Sequence, residues 1–230
     1  MELLDLNSIS VISGISVVLI VLFARLHWPF RYQYMSSFFK RNASWRMRPL
    51  QASFKKNKTL PVAFLDKSTV EILSGNYLQA EKFIAQGLNV CKDTPSLFNQ
   101  AMMHYLFYNL SAVYFYCGRY TEALEIAFHV YERDNKLISA LGIIVCAHAR
   151  LGDVQGAVEA YQLVATKKLK EELRLICQAE IEAAKGDYQQ AVTHMKQLAI
   201  KNYMNIMHLN QGEIDKRLQE WTKASSTQAG

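Results

Sequence analysis

A hexapeptide that begins with Gly and ends with Ala recurs four times, and this repeat constrains the fold more than any other feature of the sequence. The copies read GNYLQA, GRYTEA, GDVQGA and GDYQQA, and they begin at Gly75, Gly118, Gly152 and Gly186. The last three glycines are spaced 34 residues apart, whereas the first gap is 43 residues. A repeat of this length forms one supersecondary unit that buries its apolar face against its neighbours.

Apolar residues recur at three- and four-residue steps on both sides of each glycine. Leu106, Leu110 and Val113 precede Gly118, for example, and similar stripes follow it. Such spacing is typical of helices with one buried face, and a glycine between two helices can take the left-handed conformation that ends the first one. We expect the alanine of each copy to let the second helix approach the first closely. These alanines are Ala80, Ala123, Ala157 and Ala191.

The segment from residue 61 to 202 resembles the tetratricopeptide repeat family. The family pattern of Gly, a polar residue, an aromatic residue, two further residues and Ala stands in three copies, and Val154 replaces the aromatic in the copy that begins at Gly152. The resemblance implies an all-α fold, an α-solenoid of about four antiparallel helix pairs. Thr94 and Pro95 have the character of an N-cap and a first helical residue, which predicts a long helix from about residue 95 to 117.

The resemblance also implies a concave surface, lined by the first helix of each pair, that takes a peptide or a helix from a partner protein. Counting back from each glycine places on it Tyr105, Tyr108, Ala112, Phe115, Ile176 and Glu180, and Tyr116 extends the aromatic cluster. Aromatic residues there favour an apolar partner segment. Two alternatives remain open at this point: the residues pack on neighbouring helices, or the chain's own C-terminal helix fills the groove.

The N-terminal stretch predicts a transmembrane helix. Leu6–Ala24 contains no charged residue, and 19 residues of helix reach about 28 Å, close to the hydrocarbon thickness of a bilayer. A cleaved signal peptide is the rival interpretation, but the residues before the apolar run are acidic and no small-residue cleavage pattern follows it. A buried helix of a globular core is the second rival. Ser10 and Gly14 would allow no more than weak self-association of this helix.

The basic residues are concentrated directly after this stretch. Nine of the 26 Lys and Arg residues fall within residues 25–60, which contain no Asp or Glu. Positive charge stays on the cytoplasmic side of a membrane, so we expect a single-pass protein of the bacterial cell membrane with its N-terminus outside and its C-terminal domain in the cytoplasm. The basic residues would contact anionic lipid or serve as a solvated linker. No recognition module for nucleic acid accompanies them.

The predicted organisation divides the chain into five parts, and none of them carries a catalytic pattern. The parts are an anchor over residues 1–30, a basic juxtamembrane linker over 31–60, a solenoid over 61–202, a capping helix over 203–224 and a disordered tail over 225–230. The sequence has no phosphate-binding loop, no HExxH and no GxSxG. Its four cysteines form no CxxC pair, so no metal site is expected. We expect a protein that is not an enzyme and needs no cofactor.

The expected function is a membrane-anchored scaffold whose cytoplasmic repeat domain recruits a partner protein or peptide to the membrane. One alternative is a receptor for targeting peptides at an organelle surface, such as the mitochondrial outer membrane. A second is an extracytoplasmic assembly factor with the reverse topology.

Overall fold

Helices joined by short turns make up the protein. The computed structural model describes residues 11–21, 32, 35–36, 43–166, 170–201 and 206–228, and these residues contain helices and no β-strand. The helices are α1 (11–21), α2 (Ala43–Lys56), α3 (Pro61–Leu73), α4 (Tyr77–Asp93), α5 (Leu97–Tyr116), α6 (Tyr120–Arg133), α7 (Ile138–Arg150), α8 (Val154–Thr166), α9 (Glu171–Ala184), α10 (Tyr188–Ala199) and α11 (Gln211–Gln228).

The four glycines of the hexapeptides end the first helix of each pair in the same way. Each glycine has a positive φ, between 77° at Gly75 and 86° at Gly186. The amide of the next residue then donates to a carbonyl five residues earlier, as Arg119 does to Tyr114 over 2.9 Å. This bond satisfies a carbonyl that the end of the helix would leave unpaired. In every copy the second helix of the pair begins two residues after the glycine.

The helix pairs stack into an all-α, solenoid-like fold. The pairs are α3 with α4, α5 with α6, α7 with α8, and α9 with α10, and their first helices also pack on one another in that order. The four hexapeptide alanines are completely buried, so no larger side chain fits between the paired helices without displacing a neighbour. One apolar core runs through all four pairs.

The first helix of the second pair begins later than the sequence suggested. The side-chain oxygen of Ser96 accepts a hydrogen bond from the amide of Asn99 and caps α5, which then starts at Leu97. The hydroxyl of Thr94 instead donates to the carbonyl of Val90 at the end of α4. Thr94 therefore closes the preceding helix, and Ser96 performs the capping role that the prediction gave to Thr94.

The prediction of an N-terminal transmembrane helix over Leu6–Ala24 is wrong. Across the described residues, none of the helices combines the length and the apolar character that crossing a bilayer requires. The helix described in this stretch covers residues 11–21. The rest of the stretch lies outside the described residues. The predicted single-pass membrane location, with the N-terminus outside, is corrected by the same finding.

Part of the segment expected to be a linker is folded onto the repeats. Residues 43–56 form α2, which packs on α3. The side chains of Arg46, Leu50 and Ser53 are buried. At the other end of the chain, α11 continues to Gln228, into the residues expected to form a disordered tail.

Candidate functional site

The concave face, formed by the first helices of the four pairs, is occupied by residues 206–228 of the same chain. We call these residues the strap. The Tyr116 hydroxyl on α5 donates to the carbonyl of Met207 over 2.7 Å, and both groups are buried. In α7, a Cβ added to Gly142 would lie 3.1 Å from the sulfur of Met207. The sequence analysis did not decide between an open groove and a groove filled by the chain's own C-terminal helix. In the structure the groove is filled by the strap, which consists of a turn and a helix.

The strap runs from the first helix pair back to the last. Near its start, the side-chain amide nitrogen Nδ2 of Asn210 donates to the carbonyl of Ile72 over 3.0 Å and to the Tyr77 hydroxyl over 3.1 Å. At its end, Gln228 lies beside Gly186, in the turn between α9 and α10. The strap helix α11 also packs along α10. One segment thus contacts all four pairs.

Two successive residues of the strap adopt the left-handed conformation although neither is glycine. Met207 has φ 52° and His208 has φ 51°. Side chains with a Cβ seldom adopt this region, so surrounding contacts must hold the turn in place. Those contacts are the Tyr116 hydrogen bond to Met207 and a ring contact between His208 and Tyr108, whose centroids lie 5.3 Å apart.

The predicted groove residues divide into those that contact the strap and those that fill the core. Tyr108, Phe115, Tyr116 and Glu180 contact strap side chains or backbone. Ala112 and Ile176 are buried within the apolar core. Tyr105 is half-buried, next to the start of the strap. Four of the seven predicted residues therefore contact the chain's own strap.

A buried charge network joins the strap to α7 and α9. Oε1 of Glu180 accepts from Nε of Arg217 over 2.6 Å, and Oε2 accepts from Nε of Arg150 over 2.6 Å. Arg217 also donates from Nη1 to Oε2 of Glu213 over 2.6 Å, and its guanidinium lies over the Phe115 ring. Arg150 reaches Glu220 on the exposed side of the strap.

The arginines keep this carboxylate charged. Burial by itself would raise the pKa of Glu180, but the adjacent guanidinium groups of Arg217 and Arg150 outweigh burial and hold the pKa below its usual value. Burial likewise favours the neutral form of Arg217, but Glu180 and Glu213 raise its pKa. Burying these charged groups removes their hydration, so the network is stable only when every member is paired. Because one position of the strap pairs them all, the network specifies that docking position.

Asn109 is a second polar contact that the sequence analysis did not identify as functional. Its amide nitrogen donates to the hydroxyls of Ser68 and Thr69 on α3, over 2.8 and 3.0 Å. Its oxygen is therefore the acceptor for Nε2 of His208, at 2.8 Å. A polar side chain within the apolar stripe of α5 was the signal available in the sequence. Arg150, Glu213 and Arg217 gave no signal, because their partners lie on other helices.

The cysteines and histidines form no metal-binding group in the part of the chain that the structure describes. Those residues contain no group of three His, Cys, Asp or Glu side chains that could hold a metal ion. All four cysteines are free thiols. Burial, together with a hydrogen bond to Cys177, raises the pKa of the Cys146 thiol well above its usual value, so this thiol stays protonated and a poor nucleophile.

No protein-family model matches the chain, and no curated protein matches it either. The all-helical, repeat-compatible fold therefore follows from the sequence periodicity and the structure together.

Proposed function

We propose that the chain is a protein-interaction scaffold built from tetratricopeptide-type repeats, and that its concave groove binds a helical segment of a partner protein. The 34-residue spacing and the four equivalent glycine turns support the repeat assignment. The absence of a recognisable catalytic motif in the sequence favours a binding role over an enzymatic one.

The observation that carries the proposal is the strap itself. The groove already buries Trp221 and Arg217, which lie four residues apart on one face of α11. A groove that satisfies an arginine through Glu180 and encloses an aromatic ring has the charge and shape to hold a partner helix of the same chemistry. The proposed partner segment is therefore a helix with an arginine and a large aromatic residue at positions i and i+4, which exchanges with the strap.

A labelled peptide with the sequence of residues 206–228 tests whether the groove takes a helix from another molecule. Fluorescence anisotropy would measure its binding to the full-length chain and to the Arg217→Ala chain, whose own strap is weakened. We expect tighter binding to the Arg217→Ala chain and no binding of a peptide that itself carries Arg217→Ala. The control chain is Arg174→Ala, since Arg174 is an exposed arginine of α9 outside the network.

The same variants test partner recruitment. A partner captured from cells should be enriched on the Arg217→Ala chain and released by the unaltered peptide. If the amount of captured partner changes neither with the variant nor with the peptide, the partner binds another face, and this result would contradict the proposal. Failure of the peptide to bind a folded Arg217→Ala chain would contradict it as well.

A further inference from the structure

A cavity of about 210 Å³ lies where α2, α3 and α5 meet the start of the strap. This volume corresponds to about seven waters at roughly 30 Å³ each, so the cavity has room for an organic molecule of about ten non-hydrogen atoms. Its apolar walls include Leu50, Leu65 and Leu137. Its polar residues include Arg46 and His208, which belong to opposite ends of the chain.

Arg46 is the unusual member of this lining. Its side chain is 6 % exposed, yet its Nε and Nη1 atoms have no hydrogen-bond partner among the described residues. Burial lowers the pKa of Arg46 to about 10, so the guanidinium remains charged at neutral pH. Buried arginines are normally paired with an acid, because an isolated buried charge loses its hydration without compensation. The charge therefore needs an anion that the described residues do not supply.

His208 presents a complementary atom. Its Nε2 donates to Asn109, which leaves Nδ1 as an acceptor, and Nδ1 is buried without a partner among the residues described. Burial, followed by the nearby charge of Arg46, lowers the pKa of His208 to about 3, so the ring is neutral. A ligand that carries an anionic group for Arg46 and a hydroxyl for Nδ1 would satisfy both residues.

We propose that this cavity binds a small organic hydroxy acid. The carboxylate of the acid accepts hydrogen bonds from Arg46, its hydroxyl donates to Nδ1 of His208, and its apolar body packs against the leucine side chains. The two residues that would bind the polar groups of the acid come from outside the repeats, because Arg46 is supplied by α2 and His208 by the strap. A ligand bound there joins both ends of the chain to α5.

Calorimetric and thermal titrations of the full chain with four probes test this assignment. Mandelate carries a carboxylate, a hydroxyl and an apolar ring, phenylacetate lacks the hydroxyl, mandelamide lacks the charge, and inorganic phosphate is an anion without an apolar body. We expect mandelate to bind and raise the Tm, phenylacetate to bind about tenfold more weakly, and mandelamide and phosphate not to bind. Phosphate binding without mandelate binding would overturn the carboxylate assignment, and so would equal binding of mandelate and mandelamide.

Variants of two arginines on the same helix assign the effect to the cavity. Arg46→Met should abolish mandelate binding and leave the ligand-free chain at least as stable, because a buried unpaired charge is removed. Arg48→Met is the matched control, since Arg48 is exposed and stacks on Trp45. We expect it to bind mandelate as the unaltered chain does.

A second measurement applies if Arg46→Met fails to fold. The NMR signals of the His208 ring in the unaltered chain should shift on titration with mandelate and remain unchanged with mandelamide. A chain whose Tm, heats of mixing and His208 signals stay constant up to millimolar mandelate would contradict the proposal.

Discussion

Arg217 donates from Nε to Oε1 of Glu180 over 2.6 Å, and this bond connects the last helix of the chain to the fourth helix pair. The two residues are 37 positions apart in sequence, and both are buried. Arg150 shares the same carboxylate from the third pair. Glu180 is therefore the common anchor of three helices, and its removal should affect more than one contact.

Replacing Glu180 with Gln should destabilise the protein by about 3 kcal/mol, because it leaves two arginines with reduced compensation in a buried position. Urea unfolding followed by circular dichroism would measure the change. Glu182→Gln is the control: its partner Lys185 is exposed, and we expect a loss below about 1 kcal/mol. Equal losses of unfolding free energy for the two variants would show that the buried network contributes no more to stability than a surface ion pair does.

Replacing Gly142 with Leu should release the strap. A Cβ at this position already lies 2.5 Å from Cδ1 of Leu173 and 3.1 Å from the sulfur of Met207, so a larger side chain has to displace one of them. Hydrogen exchange should accelerate across residues 206–221 and remain unchanged in α4. Gly14→Leu is the matched control, because a Cβ there meets none of the described residues within 4 Å. Unchanged exchange in the strap would mean that Leu173 alone absorbs the strain.

Replacing Gly118 with Ala should cost about 1–2 kcal/mol, because Gly118 has φ 79° and a Cβ makes this conformation unfavourable. Apart from the two adjacent residues, none of the described residues lies within 4 Å of a Cβ added at Gly118, so the cost comes from the backbone conformation. Gly118→Asn should lose less, since Asn tolerates the left-handed region better than Ala. Thermal unfolding of the two variants would show which one is more stable. A loss of stability for Gly118→Asn as large as that for Gly118→Ala would contradict the backbone explanation.

The stability of the protein should fall as the pH drops below 6.5, in a manner that depends on His208. The folded protein lowers the pKa of His208 from its ordinary value of 6.5 to about 3. Between these values the unfolded chain binds a proton that the folded chain does not, so acid favours unfolding, by about 1 kcal/mol for each pH unit. Below pH 3 both states are protonated and this dependence ends.

Unfolding free energies of the His208→Asn chain at pH 7.5, 6 and 5 would test this dependence. Asn accepts a positive φ, so the turn should remain intact. The unfolding free energy of this variant should therefore change less with pH over this range. His129→Asn is the control, since His129 is exposed, and it should keep the slope of the unaltered chain. A slope that is the same in all three chains would contradict the role of His208.

The repeated helix pairs were predictable because their determinants are local. A positive φ at Gly118 and a buried methyl at Ala123 depend on residues within one turn of the chain, so the hexapeptide alone indicates both. Helical spacing likewise placed Tyr108 and Phe115 on the concave face.

The occupant of the groove could not be derived in the same way. Tyr77 and Glu213 are 136 positions apart, and nothing in either local sequence indicates their hydrogen bond. Arg46 was one of nine basic residues in a segment interpreted by its charge, and composition does not distinguish a buried arginine from an exposed one. The apolar stretch near the N-terminus was interpreted by its hydropathy, its length and the charges that flank it, and the structure contradicts that interpretation.

The strap also spans the whole stack of described helix pairs, which has a consequence for the number of pairs that it can contact. Repeat proteins commonly gain or lose units by duplication, because each unit contacts only its neighbours. Here Asn210 must reach the first pair while Gln228 returns to the last. A fifth pair would lengthen the stack without lengthening the strap, so one end would lose its contact. In the part of the chain that the structure describes, the length of the strap therefore matches a stack of four helix pairs.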